Sequence, residues 1–128
     1  YNTPPVFAIY VVMLVTQWLR DEIGGLENMG TINEQKSKML YDVIDQSNGF
    51  YRGHARPDSR SRMNVTWHIS DDTLATVFVR QAQERELVNL NGHRSMGGFR
   101  ASIYNAMPIE GVRALRDLML DFQTQYSG

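Results

Sequence analysis

Apolar residues recur at helical spacing in the N-terminal third of the chain. From Val6 to about Ile23 the residues are apolar nearly all round, which predicts a helix packed on several sides. Gly24-Gly25 is expected to end it. A second helix is predicted over Leu26–Gln46, with the apolar stripe Ile32, Met39, Leu40, Val43 and Ile44. Its polar residues, Glu34, Lys36 and Lys38, are expected to stay solvated.

The middle of the chain changes to a strand pattern. Asn48-Gly49 breaks the second helix, and residues 50–60 read as a short strand followed by a polar loop. The next segment alternates, which predicts a strand with one face made of Met63, Val65, Trp67 and Ile69. Ser70 is predicted to cap a helix whose buried side comprises Leu74, Val77, Phe78 and Ala82.

The C-terminal part completes a small layered pattern. Two strands, Leu87–Leu90 and Gly98–Tyr104, are predicted to be joined by the bend Gly92–Gly97. Pro108 opens the last helix, with the stripe Val112, Leu115, Leu118, Met119 and Phe122. The order of elements predicts the α/β class, with a three- or four-stranded sheet covered mainly on one face by helices. We interpret residues 1–128 as a single domain.

Composition narrows the function classes. The 128 residues carry a formal net charge of −1, so no global field attracts nucleic acid or an anionic membrane, and neither is expected as a partner. The absence of cysteine excludes a disulfide scaffold, a thiolate zinc site and a cysteine nucleophile. The apolar run Pro4–Val15 is too short to span a bilayer and has no basic region before it, which favours a buried helix.

Candidate chemistry concentrates in a glycine-rich stretch near the end of the chain. His93, Arg94 and Arg100 lie on or beside the bend, and no acidic residue occurs between Glu86 and Glu110. An arginine guanidinium matches a carboxylate or a phosphate, and glycine lets backbone approach a ligand closely. These residues indicate a local anion site. The alternatives are a salt bridge from Arg100 to a distant acid such as Glu110 or Asp117, and a solvated pair at His93 and Arg94.

Three other groups are weaker candidates. A basic cluster, made of Arg52, His54, Arg56, Arg60 and Arg62, resembles a nucleic-acid patch but favours a solvated loop with one or two structural arginines. The three histidines have no metal-ligand spacing, so no metal site is predicted. Asn2-Thr3 offers hydrogen-bond donors suited to a phosphate, although such a pair alone carries little information.

Several blocks of the chain resemble one enzyme family. The stretch GHRSMGGFRASIYNAMP from Gly92 is similar to the C-terminal signature of the phosphoserine aminotransferases, which use pyridoxal phosphate. Further matching blocks are YNTPP from Tyr1, LYDVID from Leu40, SNGFY from Ser47, SRSRMNV from Ser59 and NAMPIEGV from Asn105. The resemblance implies the small C-terminal domain of a fold-type I, aspartate-aminotransferase-like enzyme, without the large cofactor domain.

The resemblance also implies residue roles. Arg100 is expected to bind the substrate α-carboxylate, and His93 and Arg94 the phosphate of phosphoserine or the distal carboxylate of glutamate. Asn2 and Thr3 resemble residues that reach the phosphate of pyridoxal phosphate held by a neighbouring subunit, which implies a homodimer. A cytoplasmic enzyme of serine biosynthesis is expected, exchanging an amino group between glutamate/2-oxoglutarate and 3-phosphohydroxypyruvate/phosphoserine.

No catalytic residue is expected within these 128 residues. The resemblance places the Schiff-base lysine before Tyr1, so the chain alone should be inactive and is expected to be an excised or processed piece. Such a piece should expose apolar surface from Val6–Leu19. Two alternatives remain open at this point: a free-standing anion-binding or regulatory α/β domain, and a small RNA-binding domain built on the basic cluster.

Overall fold

A computed structural model describes residues 2–127, so the Tyr1 of the first matching block lies outside the described residues. The helices are α1 (Val6–Asp21), α2 (Leu26–Gln46), α3 (Ala75–Glu84) and α4 (Ile109–Tyr126), and the strands are β1 (Tyr51–Gly53), β2 (Asn64–Ile69) and β3 (Phe99–Ser102). Single turns of 3₁₀ helix occur at Pro57–Ser59 and Asp72–Leu74. Contacts divide the chain into two compact units, residues 1–32 and 33–128.

The N-terminal unit contains α1, which exposes an apolar surface. None of its residues is buried, and Phe7 is 80% exposed. The expectation that α1 packs on several sides is therefore wrong for the described residues, because the N-terminal unit by itself has too few side chains to cover a helix that is apolar nearly all round. The expected exposure of apolar surface from Val6–Leu19 is confirmed. As predicted, the helix ends before Gly24 and Gly25, which both have positive φ.

The second unit is built on a three-stranded antiparallel sheet in the order β1-β2-β3. The predicted alternation in β2 is confirmed, since Val65, Trp67 and Ile69 are buried and the residues between them are half-buried. Trp67 pairs with Gly53 on one side and with Phe99 on the other. One face of the sheet is therefore buried except at Gly53, and the opposite face, called the open face below, carries exposed and half-buried residues.

The core lies between the buried sheet face and helices α2, α3 and α4. The ring of Phe78 in α3 contacts Phe99 at a centroid distance of 4.8 Å and Phe122 of α4 at 5.1 Å, linking sheet to helices. The predicted stripe of α4 is buried throughout. Packing of helices on one sheet face follows from the apolar residues that both present to each other. The predicted α/β class is confirmed.

One predicted strand is absent from the described structure. Residues 87–90 form no strand, because Glu86 and Asn89 adopt left-handed backbone angles near φ +60°, which interrupt an extended course. The segment still runs beside β3: the carbonyl of Leu90 accepts a hydrogen bond from the amide of Arg100, and Asn91 forms a single bridge with Phe99.

The start of the third helical segment is also shifted from the prediction. Ser70 is not its N-cap: it lies one residue too early, at the end of the sheet, where its amide donates to the carbonyl of Phe50. The side chain of Asp71 caps instead, accepting a 2.9 Å hydrogen bond from the amide of Thr73. Hydrogen bonds from Thr73 lower the pKa of Asp71, since they stabilise the carboxylate form.

Lys36 is the largest departure within a correctly predicted helix. The expectation that it stays solvated is wrong: its side chain is fully buried, and its Nζ donates to the carbonyls of Ile103 at 3.2 Å, Tyr104 at 2.7 Å and Met107 at 3.2 Å. Desolvation by burial lowers the pKa of Lys36. This ammonium therefore holds the connection between β3 and α4 against α2.

No helix within residues 2–127 is long and apolar enough to cross a membrane.

Replacing Lys36 with Met is expected to destabilise the chain by about 2–4 kcal/mol, because carbonyls left without a donor inside the protein are costly. Lys38→Met is the matched control, since Lys38 lies on the same helix, is exposed and pairs with Asp42. Its effect should stay within about 0.5 kcal/mol. Urea unfolding of both variants measures the difference, and equal midpoints would contradict a structural role for the buried ammonium.

A second stability prediction concerns the ion pair between Arg60 and Asp45 at low pH. The Arg60 guanidinium donates to both oxygens of Asp45 at 2.7 and 2.6 Å and lowers the pKa of that carboxyl. The stabilisation is therefore present above the ordinary aspartate pKa of about 3.9 and is lost as pH falls below it. Asp45→Asn should cost about 0.5–1 kcal/mol at pH 7, where the half-exposed carboxylate is partly screened by solvent, and much less at pH 3. A pH-independent loss in urea titrations would refute this assignment.

Candidate functional site

The open face of the sheet carries the best candidate site. Strand register places Arg100 of β3 directly opposite Thr66 of β2, on the face away from the core. The side chain of Arg100 is exposed and makes no salt bridge within residues 2–127. The two acids considered as its partners are engaged elsewhere: Glu110 with Arg113 at 3.6 Å and Asp117 with Arg116 at 2.6 Å. Arg100 is therefore available to an external anion.

The glycine-rich bend closes on itself through backbone hydrogen bonds. The amide of Gly92 donates to the carbonyl of Gly98 at 2.8 Å, and the amide of Gly97 donates to the carbonyl of His93 at 2.8 Å. A Cβ on Gly92 would lie 2.1 Å from the Gly97 carbonyl oxygen, which no side chain permits. Gly97 and Gly98 have φ values of +66° and +65°. The bend is thus a fixed loop that rests on the open face of the sheet.

The bend and the sheet enclose a small cleft of about 110 Å³. Its lining includes His93, Met96 and Gly97 from the bend, and Thr66 and Arg100 from the sheet. His93 lies at the bend surface, where its Nδ1 is 2.7 Å from the hydroxyl oxygen of Ser95. The structure therefore brings two of the three predicted substrate-binding residues, His93 and Arg100, to one cleft. Arg94 follows His93 in the bend, is exposed and does not line it.

The remaining predicted site residues are placed differently. Asn2 and Thr3 precede α1, are exposed and are described with the N-terminal unit. Their proposed contact with a cofactor phosphate stays a prediction. No group of three or more His, Cys, Asp or Glu side chains suited to a metal ion occurs in the described part of the chain.

The basic cluster is largely paired with acids. Arg56 contacts Asp58 at 2.6 Å and Arg62 lies 3.6 Å from Glu34. Arg60, only 18% exposed, binds Asp45 and also lies over the Tyr41 ring at 4.5 Å. Arg60 is therefore a structural arginine, whereas Arg56 and Arg62 are solvated, and the three ion pairs reduce the free positive charge that a nucleic-acid surface requires.

Sequence reasoning missed two residues of the cleft, His54 and His68. The alternation of β2 was a usable signal for His68, because it assigns that residue to the polar face. His54 was read only as part of the basic cluster. Neither could be joined to Arg100 from the sequence, since the pairing register of the strands is a tertiary property.

This chain is similar to proteins of one family. Residues 1–115 match the family model described as aminotransferase class-V. The phosphoserine aminotransferase of Rhodopirellula baltica is 58% identical over 99% of this chain, and that of Bacillus subtilis is 54% identical over 98%. The chain covers 34% of either relative, so it spans about a third of their length.

Solved structures give the same result. A phosphoserine aminotransferase from Bacillus circulans subsp. alkalophilus superposes with a TM-score of 0.90 at 48% identity, over 98% of this chain and 34% of that one. A phosphoserine aminotransferase from Trichomonas vaginalis, solved with bound PLP, gives a TM-score of 0.82 at 42% identity, over 94% of this chain and 34% of that one.

The contrast between Gly97 and Gly98 provides a test of the bend. Their φ values are alike, but only at Gly98 would a Cβ meet neighbours, the Trp67 carbonyl oxygen at 2.6 Å and the His68 ring at 2.7 Å. We expect Gly98→Ala to destabilise the chain by about 2–4 kcal/mol and Gly97→Ala by about 1 kcal/mol, the cost of left-handed backbone alone. Thermal unfolding of the two variants measures this. Equal losses would mean that the bend does not rest on β2.

Proposed function

Because this chain belongs to the class-V aminotransferase family, we propose that it is the substrate-binding part of a phosphoserine aminotransferase. The reaction would move an amino group between glutamate and 3-phosphohydroxypyruvate, giving 2-oxoglutarate and phosphoserine. The observation that carries the proposal is Arg100, an arginine without an acidic partner in residues 2–127 that lines a cleft together with His93. The identity to named phosphoserine aminotransferases over nearly the whole chain supports the same substrate class.

The role of Arg100 follows from its chemistry and placement. Its guanidinium offers two parallel N–H donors, which match the two oxygens of an α-carboxylate. Its backbone is fixed by the ladder with β2 and by the hydrogen bond to the Leu90 carbonyl at 2.8 Å. A substrate bound there would have its α-carbon held in one orientation, and holding a reacting group in one orientation raises the reaction rate.

His93 and Arg94 would recognise the distal end of the substrate. Phosphoserine carries a phosphate there, and glutamate a carboxylate, so one cationic subsite has to accept both. An exposed arginine beside an imidazole provides donors in several directions, which suits either anion. Discrimination between phosphorylated and unphosphorylated amino acids would then rest on these two side chains.

Pyridoxal phosphate would be the cofactor, and when bound it supplies the electron sink for amino-group transfer. The residues present fit only part of its site. Asn2 and Thr3 are exposed and have donors suited to a phosphate. The two lysines of the chain do not fit the role of binding its aldehyde, because Lys36 is buried on three carbonyls and Lys38 pairs with Asp42.

We also propose that the whole protein is a cytoplasmic homodimer. The support is the resemblance alone, in which Asn2 and Thr3 serve a cofactor held by the neighbouring subunit. Light scattering of the full-length protein measures the assembly directly. A monomeric, fully active protein would refute the shared site.

The first test is turnover by the full-length protein. With phosphoserine and 2-oxoglutarate we expect glutamate formation that depends on pyridoxal phosphate. A folded, cofactor-loaded protein without turnover would refute the substrate assignment while leaving the fold intact. In that case, tight binding of phosphoserine but not serine by the 128-residue chain would favour an anion-binding domain instead.

Arg100→Gln in the full-length protein is expected to raise KM roughly 10- to 100-fold for both phosphoserine and glutamate, since both carry the α-carboxylate and a charge-assisted pair is lost. Arg94→Ala should raise KM for phosphoserine at least as much as for glutamate. Arg113→Gln is the control, because its side chain lies on α4 and pairs with Glu110. Steady-state kinetics on the three variants decide the matter, and wild-type KM values for Arg100→Gln would remove the assignment.

A further inference from the structure

All three histidines of the chain line the same cleft. His68 lies on β2, His54 directly after β1 and His93 on the bend, and they share the cleft of about 110 Å³ with Arg100. The first and last of the three histidines are 39 positions apart in sequence, and the fold alone brings them together. Of these four cleft residues the proposed function uses His93 and Arg100, so the imidazoles of His54 and His68 have no role in it.

Strand register explains how the imidazoles reach Arg100. On β2 the open face carries Thr66 and His68, and Thr66 pairs with Arg100 of β3. His54 follows β1 directly, with its amide 3.4 Å from the Thr66 carbonyl oxygen. His54 and Arg100 therefore flank Thr66 from opposite sides, each about one strand spacing of 4.8 Å away.

His68 is held in place by packing and not by hydrogen bonds. A Cβ on Gly98 would lie 2.7 Å from both Cε1 and Nδ1 of the His68 ring, so the ring occupies the space that glycine leaves open. Within residues 2–127 the rings of His54 and His68 make no hydrogen bond, whereas His93 contacts Ser95. The ring centroids of His54 and His68 are 6.3 Å apart. Their nitrogens are free for a ligand.

The charges around the cleft are of one sign. The cleft has no acidic residue in its lining, and Arg52, which pairs with His68 across β1 and β2, forms no salt bridge in the described residues. His68 also lines a second cavity, of about 290 Å³, and Asp72 is in the lining of that cavity and not of the cleft. An anion in the cleft would meet donors from several directions and no carboxylate.

We propose that His54 and His68 extend the distal anion subsite, so that a phosphate group in this cleft is recognised by three imidazoles, with Arg94 beside His93 outside the cleft lining. The proposal rests on the proposed function in taking phosphoserine as the source of the phosphate. A cleft of this volume has room for a few water-sized groups, since water takes about 30 Å³ in the liquid. Donors on three separate segments suit the several oxygens of a phosphate better than the planar pair of a carboxylate.

Kinetics of the full-length, cofactor-loaded protein test this specificity role. His68→Leu is expected to raise KM for phosphoserine roughly 5- to 20-fold, to change KM for glutamate less than threefold, and to keep kcat within about twofold. His68→Gln, which restores an N–H donor, should recover part of the affinity. Arg56→Gln is the control, because Arg56 pairs with Asp58 outside the cleft. A uniform rise of both KM values, or a fall in kcat alone, would indicate a structural effect and overturn the proposal.

Calorimetric titration with inorganic phosphate separates this proposal from the proposed function. We expect saturable binding by the full-length protein that weakens at least threefold in both His68→Leu and His54→Leu and is unchanged in Arg56→Gln. Circular dichroism and thermal midpoints confirm that the variants fold. If the wild type shows no transamination but binds phosphate in this way, the function fails and the phosphate subsite stands. Wild-type phosphate affinity in both histidine variants would overturn the subsite whatever the activity.

Discussion

The alternation of β2 is the constraint on which both the core and the cleft depend. Val65, Trp67 and Ile69 face the helices, and Thr66 and His68 face the opposite side. Because successive side chains of a strand point to opposite faces, the burial of Trp67 dictates where His68 can go. A slip of one residue would place the histidine in the core and the tryptophan in solvent. Burial of apolar surface thus fixes the positions of the residues that line the cleft.

Hydrogen bonds from α2 and from the glycine-rich bend hold the strand that carries Arg100 in place. Lys36 of α2 holds the carbonyls that follow β3, only a few residues beyond Arg100. From the other side, the bend is anchored to β3 through Gly92 and Gly98. The strand that presents Arg100 is therefore fixed at both ends. Such fixation matters because small displacements of a binding group are expensive in rate.

The sequence predicted the elements well wherever one periodicity dominated. The bounds of α2 coincide with the prediction, and the stripe of α4 is buried as expected. The strand predicted at residues 87–90 is wrong because the pattern of apolar residues does not reveal the left-handed backbone angles at Glu86 and Asn89. The prediction that Lys36 stays solvated is wrong because the carbonyls that accept its hydrogen bonds are distant in sequence. His54 and His68 were missed for the same reason, since strand register decides which polar residues meet.

The edges of the sheet bear on how this chain meets other molecules. Strand β1 has three residues and is soon followed by Pro57, and the outer side of β3 is partly occupied by the amide and carbonyl contacts of residues 90–92. Neither edge is a long template for adding a strand. The exposed apolar surface instead belongs to α1, whose backbone groups are satisfied within the helix. Self-association of the chain is therefore expected to proceed by reversible side-chain contact and not by growth of β-structure into fibrils.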